Sequence, residues 1–360
     1  MQDASTLDED QLPHYSEFPQ TRFQGSKLRL LDWIDKELSM LNYDTVLDPF
    51  SGSGVVSYYF KTQGKAVTSS DVLHSSYITA LALVENSTNR IDDRLLQSVL
   101  DLPPYQEHDH VIEKNYEDIN YTVEENQWLD AFISNIRSVS NSYHQAILYW
   151  ALFQACLIKR PYNLFHRKNL YMRTDKVKRS FGNKVSWDRP FETYIRRFVN
   201  QANSAIFDNG RTHRAFQSAI EDLSVAPPDL LYIDPPYMKQ NSSQSGNDYQ
   251  NYYHFLEGIL DYDHWSEKIN SDLKHQPYSV DKSEWIDRDH IVAKFDALFD
   301  RFQDSILVIS YNTEGYPSPD QLRDIIGSYK STVEIRYKEI KYALKKKKRK
   351  NTEVLIIATD

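Results

Sequence analysis

The densest chemistry in the chain lies at Asp229-Leu-Leu-Tyr-Ile-Asp-Pro-Pro-Tyr237. Leu230 to Ile233 are a short apolar run, the length of a buried strand, and Asp234 stands where that strand must end. Pro235 and Pro236 have no N–H to offer a sheet neighbour, so the chain leaves the sheet there. A carboxylate, two proline carbonyls and the Tyr237 ring are thereby gathered at the carboxyl edge of a strand, where open α/β sheets bind ligands. An exocyclic amine suits these groups. Asp234 and the Pro235 carbonyl can accept its two N–H bonds and leave the nitrogen lone pair facing an electrophile, while Tyr237 lies flat on a purine-like ring. The plainer alternative is a strand end with a proline-fixed turn, Tyr237 merely packing.

A second constellation, Thr45-Val-Leu-Asp-Pro-Phe-Ser-Gly-Ser-Gly54, predicts a strand over 45–47 and a sharp βα turn. Gly52 and Gly54 let its backbone approach a ligand closely. A helix is expected from Val55 to Gln63 with Gly64 as its cap, then a strand from Lys65 that ends at Asp71. A carboxylate at the end of the second strand is placed for a ribose hydroxyl pair. The loop has no Gly-Lys-Ser/Thr and no third glycine, so it fits neither a triphosphate P-loop nor a dinucleotide site. Asp48 would repel a pyrophosphate and attract an ammonium, which favours the zwitterionic end of S-adenosylmethionine. Upstream, Gly25-Ser26 make a turn, and Leu28, Leu31 and Ile34 share a helical face with Lys27 in its first turn.

The chain has 360 residues, enough for one large domain with an insertion or for two domains. One cysteine excludes a disulfide framework and a cysteine zinc site and fits a reducing, cytoplasmic setting. No apolar run reaches membrane-span length, and the acidic N-terminus is no signal peptide. The formal net charge is -9, yet residues 159–197 hold 12 Lys or Arg against 3 Asp or Glu, which leaves -18 on the remainder. That asymmetry predicts a basic groove on an acidic body.

Three motifs in this order, Phe23-Gln-Gly-Ser-Lys27, Asp48-Pro-Phe-Ser-Gly-Ser-Gly54 and Asp234-Pro-Pro-Tyr237, resemble those of the D12 class, Dam-like N6-adenine DNA methyltransferases. The resemblance covers about residues 20–90 and 215–358. It implies a Rossmann-like α/β fold that depends on S-adenosylmethionine, with a seven-stranded, mostly parallel sheet whose last strand is antiparallel. It places Phe23 and Lys27 near the methionine part of the cofactor. Asp48, Pro49, Phe50, Gly52, Ser53 and Gly54 fall around its amino-acid end, Asp71 on its ribose, and Asp234, Pro235, Pro236 and Tyr237 around the target base. An acidic residue usual before the Asp-Pro-Pro-Tyr strand, against the cofactor adenine, has its counterpart in Gln217-Ser-Ala-Ile-Glu-Asp222. Spacing selects Ser218, with Asp222 as the other candidate.

On this reading residues 1–20 are a flexible start, 21–90 and 214–360 the catalytic domain, and 91–213 an inserted, largely helical target-recognition region. Ala146 to Ile158 is apolar nearly all round and predicts a buried helix holding Cys156 as a core residue. The basic segment that follows offers Lys159, Arg160, Asn163, Arg167, Lys168, Arg173, Lys178, Arg179 and Lys184 to double-stranded DNA. Cations match phosphates, and Asn and Arg can read base edges. Trp187 to Val199 predicts one helix. Near the end, Val333–Tyr337 and Glu353–Ala358 read as strands flanking a six-cation run in which Lys346 and Lys348 are further phosphate contacts. Tyr252 to Phe255 either close over an extruded base or anchor the returning chain.

The expected reaction is methyl transfer to N6 of a flipped adenine, in the service of restriction-modification or epigenetic marking, with no metal. A cognate restriction endonuclease or another defence component is the expected partner. N4 of cytosine, an RNA adenine or a protein glutamine are rival amines. A DNA-binding module without catalysis is the rival of another class.

Overall fold

The computed structural model describes residues 12–175, 184–236, 238–240, 248–279, 283–340 and 351–360. Seven strands make one sheet: β1 (Thr45–Asp48), β2 (Ala66–Asp71), β3 (Arg214–Gln217), β4 (Leu230–Ile233), β5 (Ile306–Asn312), β6 (Thr332–Ile340) and β7 (Asn351–Thr359). Their spatial order is β3-β2-β1-β4-β5-β7-β6. Every pairing is parallel except the two made by β7, which runs against β5 and β6. This is the seven-stranded sheet with an antiparallel last strand that the resemblance implies. Strand order reverses at β1, which pairs with β2 on one side and β4 on the other, so a crevice opens beyond the carboxyl ends of β1 and β4. Asp48 and Asp234 stand at those ends.

The strands are buried on both faces, and side chains alternate between two cores. Val46, Leu230, Tyr232, Val308 and Leu355 face the larger one, built with helices Leu31–Leu38, Val55–Thr62, Ser142–Ile158, Phe191–Ala205 and Tyr249–Leu260. Leu47, Leu231, Ile233, Leu307 and Ile356 face the smaller one, closed by helices Ile291–Arg301 and Pro319–Ile326.

The inserted residues are not a separate lobe over their whole length. Trp150, Ala151 and Phe198 share the larger core with Tyr58 and Phe60 of the helix after β1. The Tyr58 hydroxyl donates to the Ala205 carbonyl (2.9 Å), and the Arg22 N–H donates to the Gln154 side chain (3.0 Å). Cys156 is fully buried, and burial pushes its thiol up to about 12. The expected helix over 187–199 is two, Lys184–Asp188 and Phe191–Ala205, with Pro190 as the N-cap of the second. Proline disfavours helical backbone in the residue before it, and Asp188 pairs back with Lys184 (2.5 Å). Tyr253, His254 and Phe255 lie in helix Tyr249–Leu260 and are buried, so this segment anchors the core. Among the described residues no helix is long and apolar enough to cross a membrane, and no cluster of three His, Cys, Asp or Glu side chains could hold a metal.

Candidate active site

The turn after β1 takes its shape from two glycines with positive φ, Gly52 at 48° and Gly54 at 73°. A side chain at Gly52 would put its Cβ 3.1 Å from the Phe23 ring, so the loop and the N-terminal motif pack with no space between them. Gly54 is the N-cap of helix Val55–Thr62, behind the cleft. Asp71 braces the loop. One of its oxygens accepts the Gly52 N–H (2.8 Å) and the other the Leu73 N–H (2.9 Å). Burial raises its carboxyl to about 6 against the pull of these donors.

Asp48 is almost wholly buried, at 1% exposure. One oxygen accepts from the Ser57 hydroxyl (2.7 Å), which itself accepts from the Ser69 hydroxyl (2.9 Å). The other oxygen is buried and has no partner. Burial pushes this carboxyl up to about 7. The Ser57 hydrogen bond opposes the shift, and the nearby charges of Asp234 and Asp71 add to it. Lys27 precedes a single 3-10 turn, Leu28–Leu30, that leads into helix Leu31–Leu38. Its ammonium reaches across the chain to both oxygens of Asp234, at 2.7 and 2.6 Å. Burial raises the Asp234 carboxyl, and the Lys27 charge and hydrogen bond pull it back without cancelling the rise.

One cleft joins these groups. Phe23, Lys27, Asp48, Pro49, Phe50, Gly52, Ser53, Asp71, Asp234, Pro235 and Pro236 all line it. Tyr237, Lys178, Arg179, Lys346 and Lys348 lie outside the described residues. Ser218 is a correction. Its N–H bonds the Asp71 carbonyl (3.0 Å), its hydroxyl donates to the Ala219 carbonyl (2.9 Å), and the cleft is lined by Ala219 and Ile220 instead. Asp222 is exposed and also misses the cleft. Sequence reasoning did not find Trp285, which packs its edge on Phe50 (centroids 4.8 Å apart), or Tyr249. Nor did it find Ser57 beneath Asp48. Phe23 stacks nearly parallel on Tyr253 (4.7 Å) and Tyr249 (5.7 Å), which closes one wall.

Three of the cations assigned to DNA are corrected as well. Lys159, Arg160 and Arg173 are buried. The Lys159 ammonium donates to the Trp187 and Arg189 carbonyls (2.7 and 2.5 Å) and pairs with Glu125 (2.8 Å). Arg173 makes a two-pronged contact with the same Glu125 (2.8 and 2.7 Å). Arg160 donates to the Leu164 and Arg167 carbonyls (3.1 and 2.9 Å). The physical reason is position: Lys159 and Arg160 directly follow a helix buried on all sides, and Glu125 lies within reach. Arg167, Lys168 and Lys184 are exposed, and Asn163 is half-buried.

A mostly parallel sheet with its cleft at the strand-order reversal, a glycine turn, and carboxylates at two adjacent strand ends define an α/β fold with a ligand cleft. The sequence pattern of the D12 class N6 adenine-specific DNA methyltransferase family matches residues 23–312, and the chain belongs to that family. Its enzymatic activity is accordingly that of an adenine-specific DNA methyltransferase. Among its relatives, the type II methyltransferase M2.HphI of Haemophilus parahaemolyticus is 28% identical, aligned over 94% of this chain and 97% of its own. The type II methyltransferase M.NlaIII of Neisseria lactamica is also 28% identical, over 88% and 91%. The type II methyltransferase M.FokI of Planomicrobium okeanokoites is 26% identical over 91% of this chain and 50% of its own length.

Proposed function

We propose that this enzyme moves a methyl group from S-adenosylmethionine to N6 of an adenine flipped out of duplex DNA, as the modification partner of a restriction endonuclease. The observation that carries the reading is the juxtaposition in one cleft of Asp234, at the end of β4, with a buried Asp48 whose second oxygen has no partner. That oxygen suits an ammonium, and the glycine turn leaves backbone where a side chain would obstruct, so the residues fit this donor. When bound, S-adenosylmethionine supplies a sulfonium-activated methyl. Asp48, the glycine turn, Phe23 and Asp71 hold it.

An adenine stacked in a duplex cannot reach the cleft and must be flipped, at a cost of roughly a few kcal/mol. Stacking on Tyr237 and hydrogen bonds to Asp234 offset that cost. The amine of adenine is conjugated and a poor nucleophile. Asp234 and the Pro235 carbonyl accept its two N–H bonds and draw the nitrogen toward tetrahedral geometry. Lys27, which holds both Asp234 oxygens in the free protein, has to yield at least one of them to the base. Most of the rate enhancement then comes from positioning. Phosphate contacts are assigned to Arg167, Lys168 and Lys184, with Lys178, Arg179, Lys346 and Lys348. Target recognition is assigned to residues 91–213, and the setting is the cytoplasm. Pairing with a nuclease is supported by relatives named as type II methyltransferases.

The test uses methyl-labelled S-adenosylmethionine with mixed-sequence duplex DNA and, separately, RNA. Label recovered as N6-methyladenine from the DNA is expected. Label recovered as N4-methylcytosine, or only from RNA, contradicts the reading.

A further inference from the structure

Behind the cleft wall a hydrogen-bond chain that the reaction itself does not use ends on Asp48. Ser57 is fully buried in the first turn of helix Val55–Thr62, and Ser69 is fully buried on β2. The Ser69 hydroxyl donates to Ser57 (2.9 Å), which leaves the Ser57 hydrogen for Asp48 (2.7 Å). The chain therefore has a direction. A serine already accepting one hydrogen bond points its own hydrogen elsewhere, and among the described residues its acceptor is one oxygen of Asp48. The second oxygen of Asp48 is left buried and without a hydrogen-bond partner, in a residue that lines the cleft.

We infer that Ser57, held by Ser69, is a positioning residue that keeps the second oxygen of Asp48 available for the ammonium of the methyl donor's amino-acid end, and that donor affinity is gated by the ionisation of Asp48. This rests on the donor assignment proposed above. The surroundings set the sign. Asp234 from the β4 end and Asp71 from the β2 end both face Asp48 with like charge, the backbone of Phe50 nearby favours the ionised form, and Lys27 is engaged by Asp234. Glu257 in turn faces Asp71. In the free protein the carboxyl is pushed up to about 7, so it is half protonated near neutrality. A protonated acid offers the ammonium no charge, and binding must expel the proton. Affinity therefore rises with pH through that range and flattens above it. Ser57 stabilises the ionised form by donating to it, so its removal moves the midpoint upward.

The experiment measures binding of two nucleosides by calorimetry across the neutral range. S-adenosylhomocysteine keeps the ammonium, and 5′-methylthioadenosine lacks it. Wild-type affinity for S-adenosylhomocysteine is expected to fall about tenfold between roughly pH 8 and pH 6, and that for methylthioadenosine by less than about twofold. Ser57→Ala should shift the midpoint for S-adenosylhomocysteine to higher pH, within the range where the ligand keeps its ammonium proton. Ser69→Ala should shift it less, and it carries the test if the first variant does not fold. An unchanged midpoint with a uniform loss of affinity in the variants would reduce Ser57 to packing and overturn the inference. So would the same pH dependence for both nucleosides, or none. If the wild type binds neither nucleoside at any pH, the donor assignment fails along with the inference.

Discussion

Asp48 is buried and Glu125 half-buried, and the two acids behave in opposite ways. Burial pushes Glu125 up, but Arg173 and Lys159 outweigh it and hold the carboxyl below its usual range. Its oxygens accept from Arg173, Lys159 and the Thr122 N–H, which closes the start of helix Val123–Ser138. Asp48 has one hydroxyl donor, one unpartnered oxygen and two acidic neighbours, and it is raised. The first site is a finished network that holds the insertion together. The second leaves bonding capacity facing a cleft. In this pair, the acid whose bonding is closed serves architecture and the acid whose bonding is incomplete faces the ligand cleft.

This comparison can be broken at the insertion. Glu125→Ala leaves Lys159 and Arg173 buried without their carboxylate, a loss that costs about 3–5 kcal/mol for a buried pair. Thermal or denaturant unfolding should show it, and a change within the scatter of a surface substitution would mean that the network is not structural. A smaller effect sharpens the same contrast. Arg167→Ala and Lys168→Ala, at exposed positions, should leave the unfolding midpoint unchanged. Each should lower the slope of log affinity against log salt for duplex DNA by about 1, as expected when one phosphate contact is lost. Lys168 has a surface partner in Asp118 (3.0 Å), a pair that contributes little. An unaltered salt slope in both variants would remove this loop from the DNA surface.

The parts legible in the sequence were those that local backbone physics fixes. Strand β4 runs over Leu230–Ile233 because the apolar stretch is bounded by Asp229 and by two prolines. The turn after β1 follows from two glycines that need positive φ, and Gly64, at a φ of 71°, ends the next helix as read. The antiparallel seventh strand came from resemblance, since nothing local in residues 351–359 dictates its direction. What could not be read depended on contacts distant in sequence. Charge counting cannot distinguish a cation that faces solvent from Lys159, whose Glu125 partner lies 34 residues earlier. Trp285 reaches the cleft only because the chain after Asp234 folds back on Phe50. Ser57 looked like an ordinary helix residue until its helix was set against Asp48 and Ser69.

Asp234 acts on the base while the donor is held by other residues of the same cleft, on the function proposed above. This division of roles is tested most directly by measuring methyl transfer to duplex DNA and S-adenosylhomocysteine binding side by side for wild type, Asp234→Ala and the near-isosteric Asp234→Asn, at roughly pH 8 where Asp48 is ionised. Transfer is expected to fall by more than about a hundredfold in both variants while binding stays within a few-fold of wild type, the pattern of an interaction made with the reacting group. Transfer that persists near the wild-type rate in both variants would contradict this role for Asp234.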